Sequence, residues 1–242
     1  ATRLSFNDGY ATLDAGVEPI TTKCLLIATG AQYRRLDVEG VGQFEGTGLY
    51  YAATTAEALL CRGCPVIVVG GGNSAGQAAV FLAEHASRVL LLIRGDDLNK
   101  SMSSYLVRRI EQTGNIELLC NTTIRQMVGN GHLKAIEIVN SKTGQQRTIE
   151  TPGVFSFIGA TPRTDWLPLE IERDAKGFVR TGAAMARAQS WGVARAPFLL
   201  ETSHPGVFAA GDVRSGSVKR VASAVGEGAM AVQFVHEYLK EM

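Results

Sequence analysis

No run of apolar residues in this 242-residue chain approaches the roughly 18 needed to cross a bilayer, and no leader pattern opens it. An excess of one charge is missing as well. Basic and acidic side chains nearly cancel to a net +1 at pH 7, so no strong field recruits nucleic acid or an anionic membrane. Cysteine is scarce: Cys24, Cys61, Cys64 and Cys120 are too few and too scattered for the disulfide framework of a small secreted protein. These absences point to a cytoplasmic protein that works without a membrane or a nucleic acid. Glycine, by contrast, is plentiful at 27 residues, which suits close approach of backbone to a ligand. The length allows one or two domains with ample surface to bury.

The stretch from Val66 to Ala75, VIVVGGGNSA, carries the most chemistry. Four β-branched residues predict a short buried strand. Gly70 and Gly72 supply the tight turn and bare backbone that a pyrophosphate needs, and Ala75 lets the next helix sit close to the strand. That helix is expected over about 74–85, with Ala75, Ala78, Ala79, Leu82 and Ala83 along one face. Its N-terminus, at Asn73 and Ser74, turns unpaired N–H groups toward an anion. A second strand follows at 88–93, completing a Rossmann-type unit.

The tip of that second strand selects between nucleotides. An NAD site usually places Asp or Glu there to hold the ribose hydroxyls. Here the strand ends in Leu92, Ile93, Arg94, Gly95, and a guanidinium matches two oxygens of a 2′-phosphate at once. The expectation is NADP(H), with Lys100 adding charge and with Asp96 or Asp97 as the competing ribose ligands.

Three segments follow from the order of the pieces. Residues 1–47 hold weak strands near 4–6 and 12–13, then a buried strand running into Ala28, Thr29 and Gly30. Residues 48–164 hold the Rossmann unit, a helix over 103–112, a strand at 116–119, and a β-meander at 124–128, 134–139 and 146–149. The buried stretch 154–159, ending at Gly159, closes this segment. Residues 165–242 contain a loop rich in Ala and Arg near 182–197, a strand running into Gly211 and Asp212, and a long helix. That helix carries Val221, Val225, Gly228, Val232, Val235 and Leu239 at helical spacing, which predicts its packed face.

Taken together, Ala28-Thr29-Gly30, the Gly70–Ala75 turn, Phe157-Ile158-Gly159 and the run from Gly206 to Asp212 resemble the two-dinucleotide flavoproteins. The chain is most similar to the low-molecular-weight thioredoxin reductase family over nearly its whole length. The stretch Gly211 to Arg220 resembles a subgroup often fused to a cyclic-nucleotide-binding domain. The resemblance implies an α/β fold in which an NADPH domain is inserted into an FAD domain. It implies that Thr29 and Gly30 lie near the FAD phosphates or adenine, and that Asp212 holds the ribityl–pyrophosphate region with Val213 beside it. Lys219, Arg220 and Val221 would then meet the flavin. It also implies a homodimer.

Two departures stand out. The family begins with its own strand–GxGxxG–helix, and nothing of that kind precedes Ala28, so a missing Rossmann segment is expected. The family's redox Cys-x-x-Cys falls by position on Ala53-Thr54-Thr55-Ala56, whose methyls cannot exchange with a disulfide. Cys61 and Cys64 have redox spacing, with Arg62 placed to lower a thiol pKa, but they lie downstream of the family position and suit packing as well. Two thiolates without a second pair do not make a metal site. The expected activity is hydride transfer from NADPH to flavin and on to an unknown protein or small-molecule acceptor. The alternatives are a ferredoxin-type reductase lacking a dithiol, or a non-catalytic NADP-binding sensor.

Overall fold

The computed structural model of the protein describes residues 1–16, 18–185 and 191–241. Strands β1 (Arg3–Asn7), β2 (Tyr10–Asp14), β3 (Pro19–Thr22), β4 (Leu25–Ile27) and β5 (Ala31–Tyr33) come first. Then come β6 (Leu49–Tyr50), α1 (Thr55–Leu60), β7 (Pro65–Val69), α2 (Asn73–Ala83), β8 (Arg88–Leu92) and α3 (Ser104–Gln112). They are followed by β9 (Ile116–Leu119), β10 (Thr122–Gly129), β11 (Leu133–Asn140), β12 (Gln146–Glu150) and β13 (Val154–Ser156). Last are β14 (Ala160–Pro162), β15 (Val207–Ala209) and α4 (Val221–Lys240).

The chain divides into two compact units, residues 33–159 and residues 1–32 with 160–242. The continuous unit is a five-stranded parallel sheet in the order β6-β13-β7-β8-β9. Alternation along β7 serves both faces. Val66 and Val68 meet α2 and α3, while Ile67 and Val69 meet the antiparallel meander β10-β11-β12. Both faces are thus covered, as a parallel sheet requires. Where bounds of 48 and 164 were expected, the continuous unit runs from 33 to 159. Leu36, Val38, Val41 and Phe44 belong to the core under the meander, so the unit begins where they do.

The discontinuous unit holds an antiparallel sheet β1-β2-β3 and a parallel pair β15-β4. β5 pairs with β14 where the chain passes between units. The short α1 and the largely exposed β3 were not foreseen.

The expected packing face of α4 is overturned for most of its residues, though Val235 does join the core and Gly228 is half-buried. Val221, Val225, Val232 and Leu239 are exposed, Val221 by 82%. The packed side is instead Ala224, Glu227, Ala231, Phe234 and Tyr238, stepping by three and four. Close approach decides this. A Cβ at Gly206 would strike the Tyr238 ring at 2.6 Å, and one at Gly211 would lie 3.3 Å from the Ala224 methyl. Glycines thus let the Tyr238 ring and the Ala224 methyl approach the backbone closely. Among the described residues no helix is long and apolar enough to cross a membrane. Part of the loop expected at 182–197 lies outside the described residues. Trp191 folds inward, its indole N–H donating to the Arg195 carbonyl at 2.7 Å.

Candidate functional site

In the continuous unit β7 ends at Val69 and the backbone turns at Gly70 with φ 140°. A Cβ there would lie 2.5 Å from the Phe157 carbonyl oxygen, so glycine is required. Gly72 caps α2 in an extended conformation, and nothing lies within 4 Å of where its Cβ would stand. The first N–H groups of α2, at Asn73, Ser74 and Ala75, have no helical partner and border this open space. Ala75 is fully buried, and its methyl would lie 3.2 Å from a Cβ on Gly70. The small side chain keeps the helix close to the turn.

The loop from β8 to α3 runs beside this turn. Arg94 is exposed just past β8 and makes no ion pair among the described residues. Lys100, expected to reinforce it, instead pairs with Asp96 at 2.6 Å. The Lys100 hydrogen bond holds the Asp96 carboxyl below its ordinary range, and the same pairing raises the lysine. Asp97 accepts from the Asn99 backbone and side-chain nitrogens at 2.8 and 2.9 Å, which holds its pKa down. Both acids are therefore engaged within their own loop.

The discontinuous unit carries the second group of expected residues. The Thr29 hydroxyl donates to the Arg163 carbonyl at 2.9 Å, and the Arg163 amide donates to Gly30. Gly30 and Gly211 both adopt positive φ, at 69° and 76°. Val213 is buried, while the Asp212 side chain is half-buried and without a protein hydrogen bond among the described residues. Lys219 folds back, its ammonium 3.2 Å from the Asp212 carbonyl and 4.2 Å from the Phe178 ring centroid. Partial burial lowers its pKa, against the pull of Asp212. Arg220 caps α4 and Val221 begins it, with no side-chain cap on the free N–H groups. Gly159, φ 103°, ends the continuous unit, its carbonyl accepting from Arg34.

An ion pair that the sequence did not single out fixes the Gly211 turn. Buried Glu227 accepts from the Gly211 amide at 2.7 Å and from both Nε and Nη2 of Arg214. Burial works to raise its pKa, but Arg214 and the amide outweigh that and hold it low. A lone carboxylate on the apolar side of a helix was the available signal.

Ala53 and Ala56 stand at the start of α1, around a capping box formed by Thr54 and Glu57. Cys61 belongs to the sheet core, with Sγ 2.6 Å from where a Cβ on Gly153 would be. Burial pushes its thiol up to about 11, reinforced by Cys64, so the expected lowering by Arg62 does not occur. Cys24 is likewise pushed up to about 11 by burial. Thiols this weakly ionised are poor nucleophiles at neutral pH.

Residues 2–228 match the family model described as pyridine nucleotide-disulphide oxidoreductase. The chain belongs to this family. Thioredoxin reductase 1 of Saccharomyces cerevisiae is 32% identical over 235 residues, covering 96% of this chain and 69% of the relative. The thioredoxin reductase of Eremothecium gossypii is 32% identical over 227 residues, 93% of this chain and 66% of its own length. Among solved structures, thioredoxin reductase from Giardia duodenalis superimposes with a TM-score of 0.80 at 26% identity, covering 99% of this chain and 74% of that one. The Streptococcus pyogenes enzyme gives 0.76 at 28%, covering 100% and 73%. The chain thus spans about two thirds of the length of the curated relatives it matches. Its architecture is the two-dinucleotide-binding flavoprotein fold, and thioredoxin reductases depend on FAD and NADPH.

Proposed function

We propose that this chain forms the NADPH domain and part of the FAD domain of an NADPH-dependent flavoprotein reductase of the thioredoxin reductase type. The supporting observation is the Gly70–Ala75 turn: a glycine that only bare backbone satisfies, an open space before Gly72, and unpaired α2 amides facing it. That donor set suits a pyrophosphate. Arg94, free of ion pairs among the described residues, reads the 2′-phosphate and favours NADP(H) over NAD(H).

For FAD, the fitting residues are Asp212, whose carboxylate has no protein partner among the described residues, and the uncapped N-terminus of α4. Asp212 and Val213 hold the ribityl side, and Thr29 and Gly30 lie toward the phosphates. Lys219, Arg220 and Val221 approach the flavin. When both groups are bound, hydride passes from the nicotinamide to the flavin. The chain's own contribution is binding and orientation, and no side chain needs to act as an acid or base in that step. With Ala53 and Ala56 at the dithiol position, the electrons leave by another route, to a protein or small-molecule acceptor. A cytoplasmic homodimer is part of the same proposal.

The test is spectroscopic. The full-length protein is expected to purify yellow, with flavin absorbance that bleaches on adding NADPH. A colourless full-length protein that still binds NADP⁺ and takes up no added FAD overturns the flavoprotein assignment.

A further inference from the structure

Ser103 occupies the N-cap of α3, the position where a serine hydroxyl ordinarily accepts a hydrogen bond from its own helix. Here it makes no such bond. The hydroxyl turns away and donates to Asn73 Oδ1 at 3.1 Å, and the Ser103 backbone N–H donates to the same oxygen at 2.8 Å. Two residues earlier, the Ser101 hydroxyl donates to the Gly71 carbonyl at 2.8 Å. Met102, between them, is buried, and a Cβ on Gly76 would strike its sulfur at 2.7 Å. The segment 101–103 is therefore fastened to the glycine turn and the first turns of α2.

The bonds at Asn73 settle the orientation of its carboxamide. A backbone N–H can only donate, so the atom 2.8 Å away must be the oxygen. Both Ser103 donors use that oxygen, and the amide NH2 has no partner among the described residues. The electropositive start of α3 also polarises the carboxamide through these bonds, which strengthens the NH2 group as a donor.

We propose that Ser103 is a positioning residue for the dinucleotide: it fixes the Asn73 carboxamide so that its NH2 group donates to the pyrophosphate bound at the α2 N-terminus. This rests on the assignment of Gly70–Ala75 as an NADP(H) site. The loop that carries Arg94 to the 2′-phosphate then also sets the pyrophosphate contact, through Ser101 and Ser103. The two anionic parts of one ligand are read by one loop.

The experiment uses the purified chain and measures the affinity of NADP⁺, the affinity of adenosine 2′-monophosphate, and the ligand-free thermal midpoint. The second probe carries the 2′-phosphate and lacks the pyrophosphate. Ser103→Ala keeps the backbone bond to Asn73 and loses only the hydroxyl bond. It is expected to weaken NADP⁺ binding by about 2- to 10-fold, the loss of one neutral hydrogen bond that holds the carboxamide. It should leave the adenosine 2′-monophosphate affinity unchanged and the thermal midpoint nearly so, since no capping bond is lost and the Ser101 and backbone Ser103 bonds still fasten the segment. Ser103→Thr, which retains the hydroxyl, should restore NADP⁺ binding. Asn73→Asp accepts the same Ser103 bonds but loses the NH2 donor, and should weaken NADP⁺ by more than 10-fold without lowering the midpoint. Unchanged NADP⁺ affinity in Ser103→Ala, or equal weakening of both probes with a lowered midpoint, overturns the proposal. If the folded wild-type chain binds neither probe, the dinucleotide assignment itself falls.

Discussion

Arg94 stands just beyond the end of β8, exposed, while the neighbouring charges satisfy one another: Asp96 with Lys100, Asp97 with Asn99. An incoming 2′-phosphate therefore meets a guanidinium that has no competing carboxylate to release. Replacing Arg94 with Ala should weaken NADPH binding by about tenfold or more, while NADH, which lacks that phosphate, should lose at most about twofold. Parallel fluorescence titrations with the two nucleotides check this, and equal losses would show that Arg94 does not read the phosphate. Arg94 could be nominated from the sequence because the ribose tip lies at a fixed distance past the glycine turn. Ser103 was not. Serine before a helix is the ordinary capping choice, and its target lies thirty residues away in sequence. The redox prospects of Cys61 and Cys64 were equally hidden, since spacing alone does not reveal that Cys61 is sealed in the core.

At the scale of elements, β7, the glycine turn and α2 were readable because a buried strand, a glycine pattern and an alanine face agree. The long C-terminal helix was also readable as a helix, but its packed side was misassigned. Counting valines favoured the side that is exposed, whereas the packed side is built from Ala224, a buried charge, Ala231, Phe234 and Tyr238, with Gly206 and Gly211, at the two ends of β15, letting Tyr238 and Ala224 come close. That charge makes a strong prediction. Glu227→Gln should destabilise the discontinuous unit by about 2–4 kcal/mol, because Arg214 is left half-buried without its counter-ion. The pH dependence follows from the sign of the shift. Glu227 is held below its ordinary pKa, so its contribution is present above the unfolded carboxylate range and disappears as pH falls through the lowered value. Denaturant unfolding between about pH 3 and 7 should therefore show a steeper acid loss in the wild type than in Glu227→Gln. Parallel pH profiles for the two proteins would refute this assignment.

The whole molecule follows from one topological fact: a continuous unit interrupts a discontinuous one. Flavin-type segments on either side of a nucleotide unit announced that arrangement in the sequence, but the boundary at 33 did not show, because Leu36, Val38 and Val41 lie scattered in a polar stretch and only the meander gathers them. Each hydrophobic cluster is confined to one unit. The two clusters flanking the five-stranded sheet draw only on residues within 33–159, and the other two only on residues outside that span. The continuous unit also holds every residue assigned to NADP(H): Gly70, Gly72, Asn73, Ser74, Ala75, Arg94 and the supporting Ser101 and Ser103. Its size lies in the range where one core sustains a cooperative domain. Residues 33–159 expressed alone should thus fold with a single thermal transition and bind NADPH within about threefold of the affinity of the whole chain. The discontinuous unit has no such independence, because its cores join residues 4–27 to residues 166–238 across the insertion. An isolated 33–159 that is unfolded, or folded yet more than tenfold weaker for NADPH, would mean that the nucleotide site draws on residues outside the unit.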